Sequence, residues 1–104
     1  MPFDPCTTIA SYTTGNMVHF YDTLRYEPAC LRVAHGSEVD FLGEFSTHPI
    51  TPSSARGTRP NPIPATSTGT AIRVRFDTPG YYPFYCMFHG TDVGTGMAGV
   101  VWVE

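Results

Sequence analysis

"FYCMFHGTDVGTGMAGVVWVE", residues 84–104, closes the chain. A strand-like run leads to Cys86, a glycine-rich loop containing His89 follows, and Met97 stands where the next strand-like run begins. Because a loop that joins two adjacent strands lies at one end of their sheet, we expect these three side chains to lie together there. Thiolate, imidazole and thioether form a donor set suited to a soft transition metal. The stretch therefore predicts a β-structure with a metal site at one end.

The rest of the chain has the composition of a β protein. Ten Gly and ten Pro accompany many Thr, Val, Phe and Tyr, which is typical of short strands joined by turns. Apolar runs, most of them alternating with polar residues, predict strands at 7–13, 17–21, 31–34, 38–42, 71–77, 81–86 and 97–104. Seven or eight short strands with turn signals between them favour an all-β, Greek-key β-sandwich.

The length predicts a single domain spanning residues 1–104. Within it, TPSSARGTRPNPIPATSTGT, residues 51–70, loses the alternating pattern and is rich in Pro, Ser, Thr and Gly. Ile63 is its only large aliphatic residue. We interpret this stretch as a long surface loop, because the residues that follow it are too few to form a second domain.

Charge and hydropathy exclude several classes of protein. The net charge is −3 and the six basic residues are scattered arginines, so a nucleic-acid interface is not expected. No apolar run approaches the roughly 18 residues of a membrane helix, so no membrane span is expected. The opening MPFDPC lacks the features of a signal peptide. If the protein is exported, we expect its leader to precede this numbering.

The cysteine count is odd, with Cys6, Cys30 and Cys86. If Cys86 serves the metal site, Cys6 and Cys30 remain to form a disulfide, which would indicate a periplasmic or extracellular location. The alternative is a pair of buried reduced thiols.

One more imidazole would complete a site of two His, one Cys and a weak axial Met. That set suits copper, whereas zinc rarely takes a methionine ligand. Of the remaining histidines, His48 follows the strand through residues 38–42 and is the best candidate. His35 belongs to a turn expected at the opposite end, and His19 lies within a predicted strand. For Met97 the competing interpretation is a core residue.

Four segments together resemble the cupredoxins of the plastocyanin and pseudoazurin type: YEPACLRVAHGSEVDF, STHPI, GYYPFYCMFHG and GMAGVVWV. The resemblance implies one type 1 copper ion, with His48, Cys86, His89 and Met97 as its ligands. It also implies that electrons pass through an exposed edge of the His89 ring. Tyr85, beside the cysteine and facing outward, matches a second and more remote contact in the family.

The chain departs from that pattern in three places. Seven residues separate His89 from Met97, where the plastocyanin type usually has four. Pro49 stands where many relatives have an Asn that bonds to the cysteine loop, and proline has no N–H to offer. Met87 and Phe88 replace a small residue and a proline. Together with Val93 they form either an exposed docking patch, which would place Phe88 on the electron-transfer surface, or a cluster folded under the loop.

These features predict a soluble, monomeric electron carrier that exchanges single electrons with a donor and an acceptor protein. An enzyme is not expected, because a multicopper oxidase or nitrite reductase needs further histidine clusters and the four histidines include no His-x-His pair. Two alternatives remain open. One is a periplasmic or extracellular protein that binds or delivers copper, and the other is a metal-free recognition domain that uses the 51–70 loop.

Overall fold

A computed structural model describes residues 4–21 and 23–104, so the first three residues of the predicted domain lie outside it. The described chain contains one short 3₁₀ turn, Ile9–Ser11. Its strands are β1 (Thr13–Thr14), β2 (Met17–His19), β3 (Cys30–Val33), β4 (Ser37–Leu42), β5 (Ile50–Pro52), β6 (Ala71–Phe76), β7 (Gly80–Gly90) and β8 (Gly96–Val103).

The strands form two sheets that face each other. The larger sheet has the order β1-β3-β8-β7-β5 and the smaller has the order β2-β4-β6. Neighbours along the chain therefore often lie in different sheets, as β3 and β4 do, which is the connectivity of a Greek-key sandwich. The predicted all-β sandwich of seven or eight strands is confirmed.

The prediction of a strand at 7–13 is wrong for most of its length. The Ser11 N–H and its hydroxyl both donate to the Thr8 carbonyl, at 3.1 and 2.6 Å, and the Tyr12 N–H donates to the Ile9 carbonyl. A serine side chain that bonds to nearby backbone competes with strand pairing, so a 3₁₀ turn forms first. Only Thr13–Thr14 then pairs, in parallel, with β3.

The core lies between the sheets and reaches the end where β4 finishes. Inward residues alternate along the strands, as in β4 and β6, where Val39 pairs with Val74. Aromatic rings fill the remaining space: Phe20 packs against Tyr26 at 5.1 Å and against Phe45 at 5.3 Å, measured between ring centroids. Fully burying each such side chain contributes about 1.5–3 kcal/mol.

The segment between β5 and β6 runs along the edge of β7. The Ser53 N–H and the Asn61 amide both donate to the Pro83 carbonyl, and the Thr58 N–H donates to the Tyr81 carbonyl. Ile63, the one large aliphatic residue of this segment, is 2% exposed and belongs to the core. The segment therefore covers an edge that the three-residue β5 would leave largely unpaired.

A disulfide joins Cys6 to Cys30, with their Cα atoms 5.7 Å apart. With Val100 the two cysteines form a small buried cluster separate from the main core. Cys86 is a free thiol with 0% exposure. None of the helical turns in the described residues is long and apolar enough to cross a membrane.

Candidate metal centre

An irregularity in the β7–β8 hairpin builds one side of the site. Tyr85 pairs with Ala98, and the next pair is Gly90 with Gly96. Between these pairs β7 has four residues, 86–89, and β8 has only Met97. The longer strand must arch away from the shorter one. Met97, which is 1% exposed, therefore lies opposite the arch that carries both Cys86 and His89.

The long His89–Met97 connection forms a tight extension of this hairpin. Beyond the Gly90–Gly96 pair, the Thr91 N–H donates to the Thr95 carbonyl at 3.0 Å, and the Gly94 N–H donates to the Thr91 carbonyl at 3.0 Å. Gly94 and Gly96 have positive φ angles of 92° and 71°, which favour glycine. The extra residues are thus taken up at the tip, and Met97 keeps its place opposite the arch.

A turn after β4 positions His48. The Glu44 carbonyl accepts hydrogen bonds from the His48 N–H at 3.0 Å and from the Thr47 hydroxyl at 3.2 Å. The Ser46 hydroxyl donates to the Glu44 carboxylate. The edge of the His48 ring packs against Phe20, with centroids 6.2 Å apart. Backbone bonds and core packing together fix this imidazole.

The two halves of the site are joined through the backbone. Ile50 pairs with Cys86, and the Pro49 carbonyl accepts a hydrogen bond from the Met87 N–H at 2.9 Å. The absence of an N–H at Pro49 therefore does not separate the loops, because its carbonyl makes the connection.

Three donor atoms converge between these segments. The Cys86 Sγ lies 3.7 Å from the His48 Nδ1 and 3.5 Å from the His89 Nδ1, and the two Nδ1 atoms are 3.2 Å apart. The point equidistant from all three lies about 2.0 Å from each, close to the roughly 2.0–2.3 Å of metal–nitrogen and metal–sulfur bonds. Among the described residues, this is the group of His, Cys, Asp and Glu side chains with metal-binding spacing.

The environment of His48 favours the form that binds metals. Burial lowers the pKa of this imidazole, and the neighbouring His89 lowers it further. A lowered histidine pKa keeps the ring neutral near pH 7, and a neutral ring has the lone pair that a metal requires.

His89, in contrast, is exposed and stands among exposed apolar residues. Met87, Phe88 and Val93 are 58%, 63% and 59% exposed, so these three side chains are not folded under the loop. Tyr85 is half-buried and pairs with Thr51 on one side and Ala98 on the other.

The other two histidines do not join the group. His19 is in β2 and stacks on Tyr21, with ring centroids 5.6 Å apart. His35 lies beyond the end of β3, where its Nδ1 is 2.9 Å from the Glu104 carbonyl oxygen. Sequence reasoning missed Glu44, whose spacing of four residues before His48 is the one signal that could have indicated a helix-like turn.

Comparison with models of known families finds no match, and no curated protein matches the sequence. Solved structures do match. A reduced amicyanin variant is 21% identical, with 86% of this chain and 82% of that chain covered and a TM-score of 0.60. Pseudoazurin from Methylobacterium extorquens AM1 is 22% identical, with 88% and 76% covered and a TM-score of 0.60.

A copper-containing nitrite reductase from Thermus scotoductus SA-01 is 17% identical, with a TM-score of 0.66. It is matched over 97% of this chain but only 29% of its own length. At these identities the likeness concerns the fold, and this chain has the cupredoxin fold.

Proposed function

We propose that this protein is a single-electron carrier that holds one type 1 copper ion through His48, Cys86 and His89, with Met97 as a weak fourth ligand. The observation that carries the proposal is the convergence of one sulfur and two imidazole nitrogens within 3.2–3.7 Å of one another at one end of a cupredoxin fold. Among the solved structures that resemble this chain, another amicyanin variant is in its Cu(I) form and the nitrite reductase contains copper.

The donor set explains the choice of metal. A thiolate and a thioether favour Cu(I), whereas imidazole suits both oxidation states. Bound copper supplies a one-electron Cu(I)/Cu(II) couple. The chain's part is to hold the ligands still: Cys86 is paired with Ile50 in the sheet, and the Glu44 turn fixes His48. Ligands that need not move between the two states make electron exchange fast.

Exchange with partners is proposed to occur at the exposed edge of His89. Met87 and Phe88, which directly precede His89, and Val93 in the hairpin tip provide exposed apolar surface, which suits brief contact with a redox protein that presents an apolar face. Tyr85, adjacent to Cys86 in the chain, is proposed as a second and more remote contact.

Catalysis is not part of the proposal. Three strong donors and one weak donor leave a copper ion little room for a substrate, and the four histidines provide no second cluster in the sequence. The disulfide supports a location in the periplasm or outside the cell, where such bonds persist.

The first test is to add Cu(II) to the metal-free protein and record the visible and electron paramagnetic resonance spectra together. We expect an intense visible band from charge transfer between the thiolate and copper, with a narrow copper hyperfine splitting. A pale, ordinary copper signal would contradict the proposed site.

Electrochemistry then separates a carrier from a protein that only stores or delivers copper. A carrier cycles quickly and reversibly between Cu(II) and Cu(I) with the metal retained. A protein that holds Cu(I) alone would release copper on oxidation or cycle irreversibly.

A further inference from the structure

The tip of the β7–β8 hairpin is fastened to two other segments of the chain. Asp92, in this tip, accepts hydrogen bonds on its Oδ1 from the Ser54 N–H at 3.2 Å and on its Oδ2 from the Ser54 hydroxyl at 3.1 Å. The Asp92 backbone carbonyl accepts a hydrogen bond from the Arg56 Nε at 2.7 Å. The Arg56 Nη1 also donates to the carbonyl of Asp4 at 2.9 Å.

We propose that these four residues, Asp4, Ser54, Arg56 and Asp92, form a hairpin latch that positions the copper ligands His89 and Met97. The inference rests on the proposed function. The four are positioning residues that act through the backbone of the hairpin, because their bonds hold Asp92, which lies between the two ligands in the chain.

The position of Asp92 in the chain explains how the latch can affect both ligands. Asp92 follows His89 by three residues and precedes Met97 by five, so it belongs to the connection that links the two ligands. The ladder between the strands is interrupted throughout the arch at 86–89 and resumes only at the Gly90–Gly96 pair. Hydrogen bonds within the tip hold its two sides to each other, whereas the latch ties the tip to the rest of the sandwich across the interrupted arch.

The latch joins three segments that are far apart in sequence. Arg56 spans the carbonyls of Asp4 and Asp92, and a guanidinium with several fixed donors is suited to such a bridge. Gly94 fits against the Asp4 backbone so closely that a Cβ atom there would collide with it. Cys6, two residues after Asp4, is bonded covalently to Cys30. The hairpin tip is thereby held against a segment that the disulfide itself fixes in place.

This arrangement assigns a role to the start of the 51–70 segment. Residues 53–56 contact the hairpin tip, and Ser53, Thr58 and Asn61 bond to the edge of β7. A seven-residue His89–Met97 connection is long enough to shift both ligands if it moves, so fixing its tip limits the geometries that the site can adopt.

The test compares Arg56→Ala with Arg75→Ala, and Asp92→Ala with Asp77→Ala. Arg75 and Asp77 form an exposed ion pair near the opposite end of the sandwich and serve as matched controls. Hydrogen exchange of the Thr91 and Gly94 amides is measured in the metal-free proteins. Since a hydrogen bond to a charged group contributes enough to change an opening equilibrium about tenfold, Arg56→Ala should speed exchange at these amides about tenfold. Exchange at the core amides of Val39 and Val74 should stay unchanged.

The copper-loaded variants supply the second readout. Arg56→Ala and Asp92→Ala should shift the midpoint potential and the relative intensities of the visible bands, and the two controls should not. Asp92→Asn keeps an acceptor for the Ser54 N–H and a donor for its hydroxyl, so it should restore both properties toward those of the unsubstituted protein. If Arg56→Ala does not fold, Asp92→Ala and Ser54→Ala decide the question.

Exchange and potential that match the controls would overturn the latch, as would faster exchange at every amide alike. Failure of the proposed function would look different. The unsubstituted protein would then lack the intense thiolate band, while the exchange measurements on the metal-free variants would still report whether the hairpin is held.

Discussion

Both ends of β4 are flanked by a histidine, and the two histidines differ in exposure and in the atoms that lie near their Nδ1 nitrogens. His35 precedes the strand, is exposed, and its Nδ1 lies near a backbone carbonyl. His48 follows the strand, is 9% exposed, and its Nδ1 lies near a sulfur and a second imidazole nitrogen. The comparison teaches that a histidine is a candidate ligand only where neighbouring segments of the fold bring other donor atoms close to it.

The direction of the strands determines which segments lie at each end of β4. At the His48 end, β7 finishes and β8 begins, so the hairpin brings Cys86 and His89. At the His35 end, β7 begins and β8 finishes, so the residue that contacts His35 is Glu104, whose carbonyl accepts a hydrogen bond from the His35 N–H. Glu104 there forms an ion pair with Arg32, which is a surface arrangement without a soft donor.

Removing the Cys86 sulfur should leave the His48 end without a thiolate donor, as the His35 end already is. We expect Cys86→Ser to abolish the intense visible band completely, because a serine hydroxyl does not provide the thiolate that produces it. Circular dichroism should show a folded sandwich, since the change is small and the new hydroxyl lies within reach of two imidazoles. Retained colour would remove Cys86 from the site.

The histidines themselves allow a direct comparison. We expect His48→Ala to weaken copper binding by more than about 100-fold, because even residues that only support a ligand contribute about 10–100-fold. His35→Ala should leave copper affinity unchanged. Competition with a chelator measures both variants, and equal losses in the two would end the distinction between the ends of β4.

The disulfide holds the segment beside Asp4, against which Gly94 of the hairpin tip packs. Replacing both Cys6 and Cys30 by serine should lower the free energy of unfolding by about 3.5 kcal/mol, the chain-entropy value for a loop of this length. Urea titration of the variant against the parent protein measures this difference. A thiol reagent should label at most Cys86 in the folded parent protein, and labelling of all three cysteines would contradict the disulfide.

Much of the His48 end of the sandwich could be predicted from the sequence, because the patterns that indicate its strands and turn are local. The alternation along 81–86 and 97–104 indicates two strands, and the glycines between them indicate a turn. His48 was identifiable because it follows an alternating strand at the appropriate end. The arch at 86–89 was not predictable, since it depends on how two strands pair rather than on either strand alone.

Contacts between distant segments escaped sequence reasoning for the same reason. The sequence predicts a long surface loop at 51–70 but does not show its contacts. Ser53, Thr58 and Asn61 bond to β7, and Ser54 and Arg56 bond to the hairpin tip. Backbone carbonyls accept bonds whatever the residue type, so sequence does not mark them. Pro49 illustrates the point: its missing N–H was visible in the sequence, and its bonded carbonyl was not.

Met97 is the proposed ligand from which we expect the smallest contribution to copper binding. We expect Met97→Leu to leave copper bound and to raise the reduction potential, because loss of a thioether donor removes a tuning ligand without removing a strong one. The swap conserves volume, so stability should change by less than about 1.5 kcal/mol. Cyclic voltammetry measures the potential, and an unchanged potential and spectrum would exclude Met97 from the site.

The smallest effect is expected at the His35 end, where the Tyr82 hydroxyl donates to the Thr78 carbonyl at 2.6 Å. Burial raises the pKa of Tyr82 above its ordinary value of 10.0. The folded protein therefore keeps this proton at alkaline pH where the unfolded chain loses it, and stability must fall as the pH rises above about 10.

Tyr82→Phe should cost about 1 kcal/mol at pH 7 through the lost hydrogen bond. Urea titrations from pH 8 to 11 should show a shallower alkaline decline in the variant, with the remainder due to Tyr12 and Tyr26, whose pKa values burial also raises. An identical decline in both proteins would mean that Tyr82 ionises as easily in the folded chain as in the unfolded one.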